Sequence, residues 1–281
     1  MDQRRTMPVV VAAAALMMII TMGKLLQART FGERDEWGMT RLLQEQNNND
    51  EGGNASNNSA TGGGVRYMRV DVDGGAAADF TSIQAAIDSV PDSNIIPTLI
   101  HIFPGIYDER VVVPSTKPFI TLQGSGMNVT FVQWHLKASD TDEHGMELTA
   151  YNTASVTVHA SNFVAKGITF KNTLPPPPPG IEGRQAAAFR ISGDMAAFYE
   201  CGFVGGQDTL CDDQGRHYFE DCFIQGSIDF VFGNARSLYN CDGPGADESQ
   251  RVAWSHELND EEVIPFLNMS FIDGDTWLPQ G

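Results

Sequence analysis

A short repeat constrains this 281-residue chain more than any other feature. Phe198-Tyr199-Glu200-Cys201-Gly202-Phe203 returns as Tyr218-Phe219-Glu220-Asp221-Cys222-Phe223. Cys201, Cys222 and Cys241 therefore follow one another at nearly equal intervals. A period of roughly 20 residues with one short apolar strand per unit suits a solenoid, in which each coil buries its apolar face on its neighbours. Short β-rich runs surround the repeat: Tyr67–Val72, Thr98–Phe103, Val111–Val113, Phe119–Gln123, Thr130–Gln133, Ser155–His159, Ile168–Lys171, Ala187–Ile191, Ala197–Tyr199, His217–Phe219 and Ile228–Phe232. Gly, Asn, Asp or Pro separate most of them. No long helices intervene, which disfavours a doubly wound α/β fold. A β-sandwich or a jelly roll would show similar strands, but the repeat favours an all-β, right-handed parallel β-helix. Phe80, Ile83, Ile87 and Val90 fall at helical spacing before Pro91, so a helix over 80–90 is expected to cap its N-terminal end.

Positions 1–64 have a different texture. Arg4 and Arg5 precede Val9–Met22, an uncharged, mostly apolar run, and Ala28 offers a small residue for cleavage. The run is short for a membrane-spanning helix, which needs about 20 residues. Positions 1–28 therefore read as a signal peptide, with an uncleaved anchor as the alternative. Positions 29–64 are rich in Gln, Asn, Gly and Ser and read as a disordered linker. The folded domain is expected over 65–281. Asn54, Asn57, Asn128 and Asn268 begin Asn-x-Ser/Thr sequons, usable as glycosylation sites in a secretory compartment.

Lys and Arg total 18 against 36 Asp and Glu, a formal net charge of −18. Such a surface argues against nucleic acid and anionic lipid as partners. It would also oppose a polyanionic polysaccharide unless that polymer's carboxylates are masked, as methyl esters mask them. Cys201, Cys211, Cys222 and Cys241 form no CxxC pair, so a zinc knuckle is not expected. One disulfide, or buried thiols in the coil core, both fit these four. Pro175–Pro179 predicts an extended polyproline loop acting as a rigid spacer.

The chain has no GxSxG elbow, HExxH, P-loop or GxGxxG after a strand. Carboxylates and carboxamides at coil spacing remain. Asp208 and Asp229 are one repeat apart, and so face the same groove from adjacent coils. Gln185 precedes Gln207 by a similar interval, on a neighbouring coil. Two carboxylates can divide acid and base work when their surroundings separate their pKa values. Asp229 has apolar chain neighbours, Ile228, Phe230, Val231 and Phe232. Neutral glutamines can donate to a developing oxyanion without adding charge. The other reading is structural, since β-helices also use Asp and Asn as turn caps and polar ladders.

Four motifs then occur in order: Gly105-Ile106-Tyr107-Asp108-Glu109, Gln185-Ala186-Ala187-Ala188-Phe189-Arg190, Gly206-Gln207-Asp208-Thr209-Leu210 and Asp229-Phe230-Val231-Phe232-Gly233-Asn234. Gly215-Arg216-His217-Tyr218-Phe219 lies between the last two. Together they resemble the signature motifs of plant-type pectinesterases, of the class without an inhibitor-like pro-domain. The resemblance implies a right-handed β-helix that hydrolyses the methyl esters of pectin in the cell wall. It implies Asp229 as nucleophile, Asp208 as proton donor and then base, and Gln207 and Gln185 as oxyanion donors. Gln185 and Ser155 would contact the sugar. No metal or organic cofactor is implied. The partners implied are pectin (homogalacturonan) and a proteinaceous pectinesterase inhibitor, with no nucleic acid or stable membrane partner, for a secreted monomer.

The chain also departs from that family. The pattern continues in the family through further coils to a Leu-Gly-Arg-Pro-Trp motif, whose Arg holds the nucleophilic Asp and whose Trp lines the groove. Here Arg236 and Arg251 are the arginines after Asp229, and neither precedes Pro-Trp. Cys241-Asp242-Gly243-Pro244-Gly245-Ala246, Arg251-Val252-Ala253-Trp254 and Phe271-Ile272-Asp273-Gly274-Asp275 already resemble the family's C-terminal region. The expectation is an internal deletion near 239–242. Either side of that junction could supply Cys241, which bears on a Cys222–Cys241 disulfide. Asp229 would lack its cation, and the last coil would expose apolar interior unless a helix at Leu258–Leu267, with Asn259 as N-cap, covers it.

Overall fold

The computed structural model describes residues 64–178, 180–240 and 268–279, with positions 261, 264 and 266. The leader, nearly all of the 29–64 linker, Cys241 and with it the Cys222–Cys241 pairing considered from sequence, and Asn259 lie outside the described residues. Strands are numbered in chain order. One sheet stacks β1 (Arg66–Val70), β2 (Thr98–Ile102), β5 (Ile120–Gly124), β8 (Val164–Lys166), β11 (Ala196–Tyr199), β14 (Arg216–Glu220) and β17 (Arg236–Asn240). A second stacks β4 (Val111–Val113), β7 (Val156–Val158), β10 (Phe189–Ile191), β13 (Leu210–Asp212) and β16 (Val231–Phe232). A third stacks β3 (Gly105–Asp108), β6 (Thr130–Trp134), β9 (Thr169–Asn172), β12 (Gly202–Val204) and β15 (Phe223–Gln225). The named pairs are all parallel, and successive coils feed strands to each sheet in turn, which makes the chain a right-handed parallel β-helix.

The repeat becomes ladders of like side chains. Phe198 pairs in register with Phe219, and Phe219 with Tyr239. Their rings stack at 4.6 and 4.4 Å, nearly parallel. Phe170, Phe203 and Ile224 form a second ladder, and Phe189, Leu210 and Val231 a third. Phe170, Phe189, Phe198, Phe203 and Phe219 are fully buried together in one core. Each large apolar side chain so enclosed is worth about 1.5–3 kcal/mol.

The Gly105–Glu109 motif seals the N-terminal end. Helix α1 (Ile83–Ser89) packs Ile83, Ala86 and Ile87 into the core. Its first turn leaves N–H groups unpaired within the helix. Glu109 accepts from Ile83 N at 2.7 Å, Gln84 N at 3.0 Å and Ser82 Oγ at 2.7 Å. Gln84 then covers the free edge of β4: its Oε1 accepts from Val112 N at 2.7 Å, and its Nε2 donates to Val112 O at 3.2 Å. At the other helix end, Lys117 Nζ donates to the carbonyls of Ile87 and Asp88.

Several boundaries differ from the sequence reading. Strands β3, β8, β12, β13, β15 and β17 went unpredicted, because most are very short and are interrupted by glycines or polar corners. The run Ile228–Phe232 shortens to β16, since Asp229 takes a left-handed φ of +46° that a strand does not tolerate. Of the helix expected at 258–267, positions 261, 264 and 266 are helical. Ile264 is 63% exposed and Phe266 46%, so these two residues do not cap the coil stack. The following turn, Met269–Ile272, docks on the outer face of the seven-stranded sheet instead. There Ile272 is fully buried with Ala197 and Tyr218. No helix among the described residues is long and apolar enough to cross a membrane.

Candidate active site

The second sheet carries the candidate residues. Strand register pairs Phe189 with Leu210 and Leu210 with Val231. Counting back along each strand places Ala187, Asp208 and Asp229 in one column. Asp208 and Asp229 both occupy left-handed corners, at φ +58° and +46°. Asp208 N donates to Ile228 O at 3.0 Å, and Gln207 bridges to Ile228, so adjacent coils lock these corners together. The coil spacing thus brings the two carboxylates onto neighbouring corners of one face, as their one-repeat separation implies.

Their surroundings differ sharply. Asp208 is 7% exposed, and its Oδ1 is buried without a hydrogen-bond partner. Burial, with the nearby Asp229 charge as the second cause, pushes its carboxyl up to about 6; a hydrogen bond from the Gln207 side chain acts the other way. Loss of hydration and a like charge both disfavour the anion. Asp229 is exposed, and its apolar neighbours do not enclose it: Ile228 is 52% exposed and Phe230 43%. A carboxyl that keeps its proton up to about pH 6 therefore sits beside an exposed carboxylate, which is the division acid–base chemistry needs.

Both glutamines are partly exposed. Ala186 N donates to Gln207 O at 3.2 Å, and Ala138 N donates to Gln185 O at 2.9 Å. Ser155 does not join them. It is fully buried, and its hydroxyl donates across the coil interior to Lys171 O at 2.8 Å. Thr209, two coils on, makes the same bond to Gln225 O at 3.0 Å. The two bonds span the same stretch of chain, which marks a coil-bracing position rather than a sugar contact.

Other residues of this face were not singled out from sequence. Arg190 stands beside Asp213 at 2.8 Å, donates to Tyr151 O and lies 5.2 Å from the Tyr151 ring centroid. Tyr151 in turn meets Phe232 edge-on at 6.0 Å. Asp212 accepts from Tyr239 Oη at 2.7 Å and lies 2.5 Å from His217 Nδ1, while His217 Nε2 faces Gly193 O. Arg190 and His217 were visible only as parts of motifs, because their partners come from other strands around the coils. Asp212 and Asp213 are thus occupied by protein partners. Among the described residues no cluster of His, Cys, Asp and Glu is arranged to hold a metal ion.

A solenoid face that stacks a protonatable, buried carboxylate on an exposed one, beside two carboxamides, has the makeup of an acid–base site. Comparison with known proteins makes this specific. The pectinesterase family model matches residues 69–242, and the chain belongs to the pectinesterase family. Pectinesterase 31 of Arabidopsis thaliana is 42% identical over 301 residues, covering 74% of this chain and 92% of that one. Carrot pectin methylesterase shares the fold with a TM-score of 0.54 and 32% identity, over 66% of this chain and 53% of that one. A pectin methylesterase in complex with a hexasaccharide matches at TM-score 0.56 and 27% identity, over 62% and 54%. The chain thus spans about half the length of the solved structures it matches. The alignment with pectinesterase 31 is itself longer than this whole chain, although it covers only 74% of it. A block of that relative therefore faces no residue here, and its size is that of several coils. The family model stops at residue 242, beside the junction read from the sequence.

Proposed function

We propose that this chain hydrolyses the methyl esters of pectin, giving free carboxylates and methanol. The observation that carries the reading is the Asp208–Asp229 column, in which a carboxyl raised to about 6 sits next to an exposed carboxylate. Asp229 attacks the ester carbonyl carbon, and the developing oxyanion takes hydrogen bonds from the Gln185 and Gln207 amides. As the tetrahedral intermediate collapses, the C–O bond to methanol breaks and Asp208 gives the departing oxygen its proton. An acyl-enzyme on Asp229 remains. Asp208, now ionised, takes a proton from water, which attacks the acyl carbon and releases Asp229 and the new carboxylate. Asp208 thereby regains the proton it gave to methanol, and the second water proton leaves with the product acid and passes to solvent as the carboxylate forms.

The absent coils would hold the arginine expected against Asp229, and among the described residues no cation replaces it: Arg190 is paired with Asp213. We therefore expect turnover below that of pectinesterase 31. The leader-like N-terminus and the family's cell-wall substrate support a secreted location. Methanol release from highly methylated pectin by the full chain, beside Asp229→Ala, tests the assignment. Release that disappears in the variant supports it. A folded protein that binds pectin and releases no methanol overturns it and leaves a pectin-binding relative.

A further inference from the structure

The segment between β9 and β10 carries a proline run that touches the site at Gly206. It leaves the coil at Asn172, which is 2% exposed. The Asn172 amide donates to Leu136 O at 2.9 Å and Ala187 O at 3.1 Å, and its Oδ1 accepts from Leu174 N at 3.0 Å. The segment re-enters at Gln185, and there Ser139 N donates to Gly183 O at 3.1 Å and Ala138 N to Gln185 O at 2.9 Å. Between these anchors Pro176 lies directly against Gly206. A Cβ at 206 would stand 2.9 Å from Pro176 Cα and 3.0 Å from its nitrogen, distances that real Cβ atoms scarcely show. Gly206 is not among the residues with positive φ, so the contact, and not the backbone, is what excludes a side chain there.

The physics of the segment follows from its composition. Each proline fixes its own φ and removes an N–H, so a run of them is stiff and makes few bonds along its length. Its position is then set by its end anchors and by what it leans on. Here it leans on Gly206, the residue before Gln207, while residues 179–184, with Gly180 and Gly183 at positive φ, separate it from Gln185. The strut therefore meets the main chain beside one of the two glutamines, Gln207.

We propose that the proline strut, 174–178, is a positioning element of the site: through its contact with Gly206 it fixes Gln207. This rests on the esterase reading above, and it assigns the strut to the rate of the chemical step, not to affinity. The test uses the full chain, the variant Gly206→Ala, a loosened loop with Pro175 to Pro178 replaced by Gly and Ser, and the two combined. Each single change is expected to lower kcat on highly methylated pectin roughly tenfold, with KM within about twofold, since small misplacements of oriented groups are costly to rate. A flexible loop can step back from the new Cβ, so Gly206→Ala should add nothing in the combined variant. Unchanged kcat, a change confined to KM, or losses that multiply in the combination would overturn the proposal. Side-chain amide NMR signals of Gln207 give an answer that does not need turnover. The Gln207 signals should shift in the loosened loop as well as in Gly206→Ala, and an unmoved Gln207 in the loosened loop sinks the strut. A wild-type chain that releases no methanol would refute the esterase reading, with the amide spectra still deciding the strut.

Discussion

The coil that ends in β13 and the coil that ends in β16 have nearly the same backbone and very different interiors. Leu210 is fully buried, whereas Val231, its partner in register, is 37% exposed. Phe203 is fully buried, whereas Ile224, its partner in register, is partly exposed. The corners at Asp208 and Asp229 nevertheless share the left-handed conformation, at φ +58° and +46°. Local conformation in a solenoid is thus fixed within a coil, but burial is conferred by the coil above. The candidate site uses this difference. Its buried acid lies one coil inside the stack, and its exposed carboxylate lies on the outermost described coil.

The largest expected effect removes the outer member. Asp229→Ala should cut methanol release by about 10³-fold or more, as loss of a nucleophile does; residual turnover close to wild type would break the assignment of roles. Next, the same kind of truncation should cost very different amounts on the two coils. Phe203→Ala should destabilise by about 3–5 kcal/mol and Ile224→Ala by clearly less, because only Phe203 is enclosed on all sides. Urea denaturation of both variants measures this, and equal losses would show that the outer coil is covered after all.

A smaller effect concerns pH. The folded carboxyl of Asp208 is raised to about 6. For an acid raised on folding, the ionised form is disfavoured, so the group lowers stability above pH 6. That cost is relieved as pH falls from 6 toward the ordinary carboxylate range. Asp208→Asn should therefore raise stability at pH 8 by about 1–2 kcal/mol and have little effect at pH 4, read from thermal melts at both. Activity that needs protonated Asp208 to assist methanol departure should decline as pH rises above about 6. Smallest of all, Asp273→Ala removes ion pairs to Arg216 and Arg236. Those groups are partly exposed and screened by solvent, so the loss should stay below about 1 kcal/mol.

Much of this was legible in the sequence, and for physical reasons. A coil period is a covalent count, so the repeat spacing carried directly into the stacking of Asp208 on Asp229. The capping helix was equally visible through Phe80, Ile83, Ile87 and Val90. Ser155 was misplaced because a hydroxyl that braces a coil and one that meets a sugar look alike in one dimension; only the matching bond of Thr209 tells them apart. The apolar neighbours of Asp229 suggested an enclosed carboxylate, yet enclosure depends on the next coil. The contact between Pro176 and Gly206 left no trace at all, since they lie on different coils and neither residue type signals the other.

Glu109 has a last consequence. It ties the helix to the first coil through three donors, while β15, β16 and β17 have no further strand on their far side among the described residues. Among the described residues the coil stack is therefore a zipper stitched at its N-terminal end. Amide hydrogen exchange should be slowest near β1 and β2 and quicken coil by coil toward β17, so that opening runs in one direction and reaches Asp229 before Asp208.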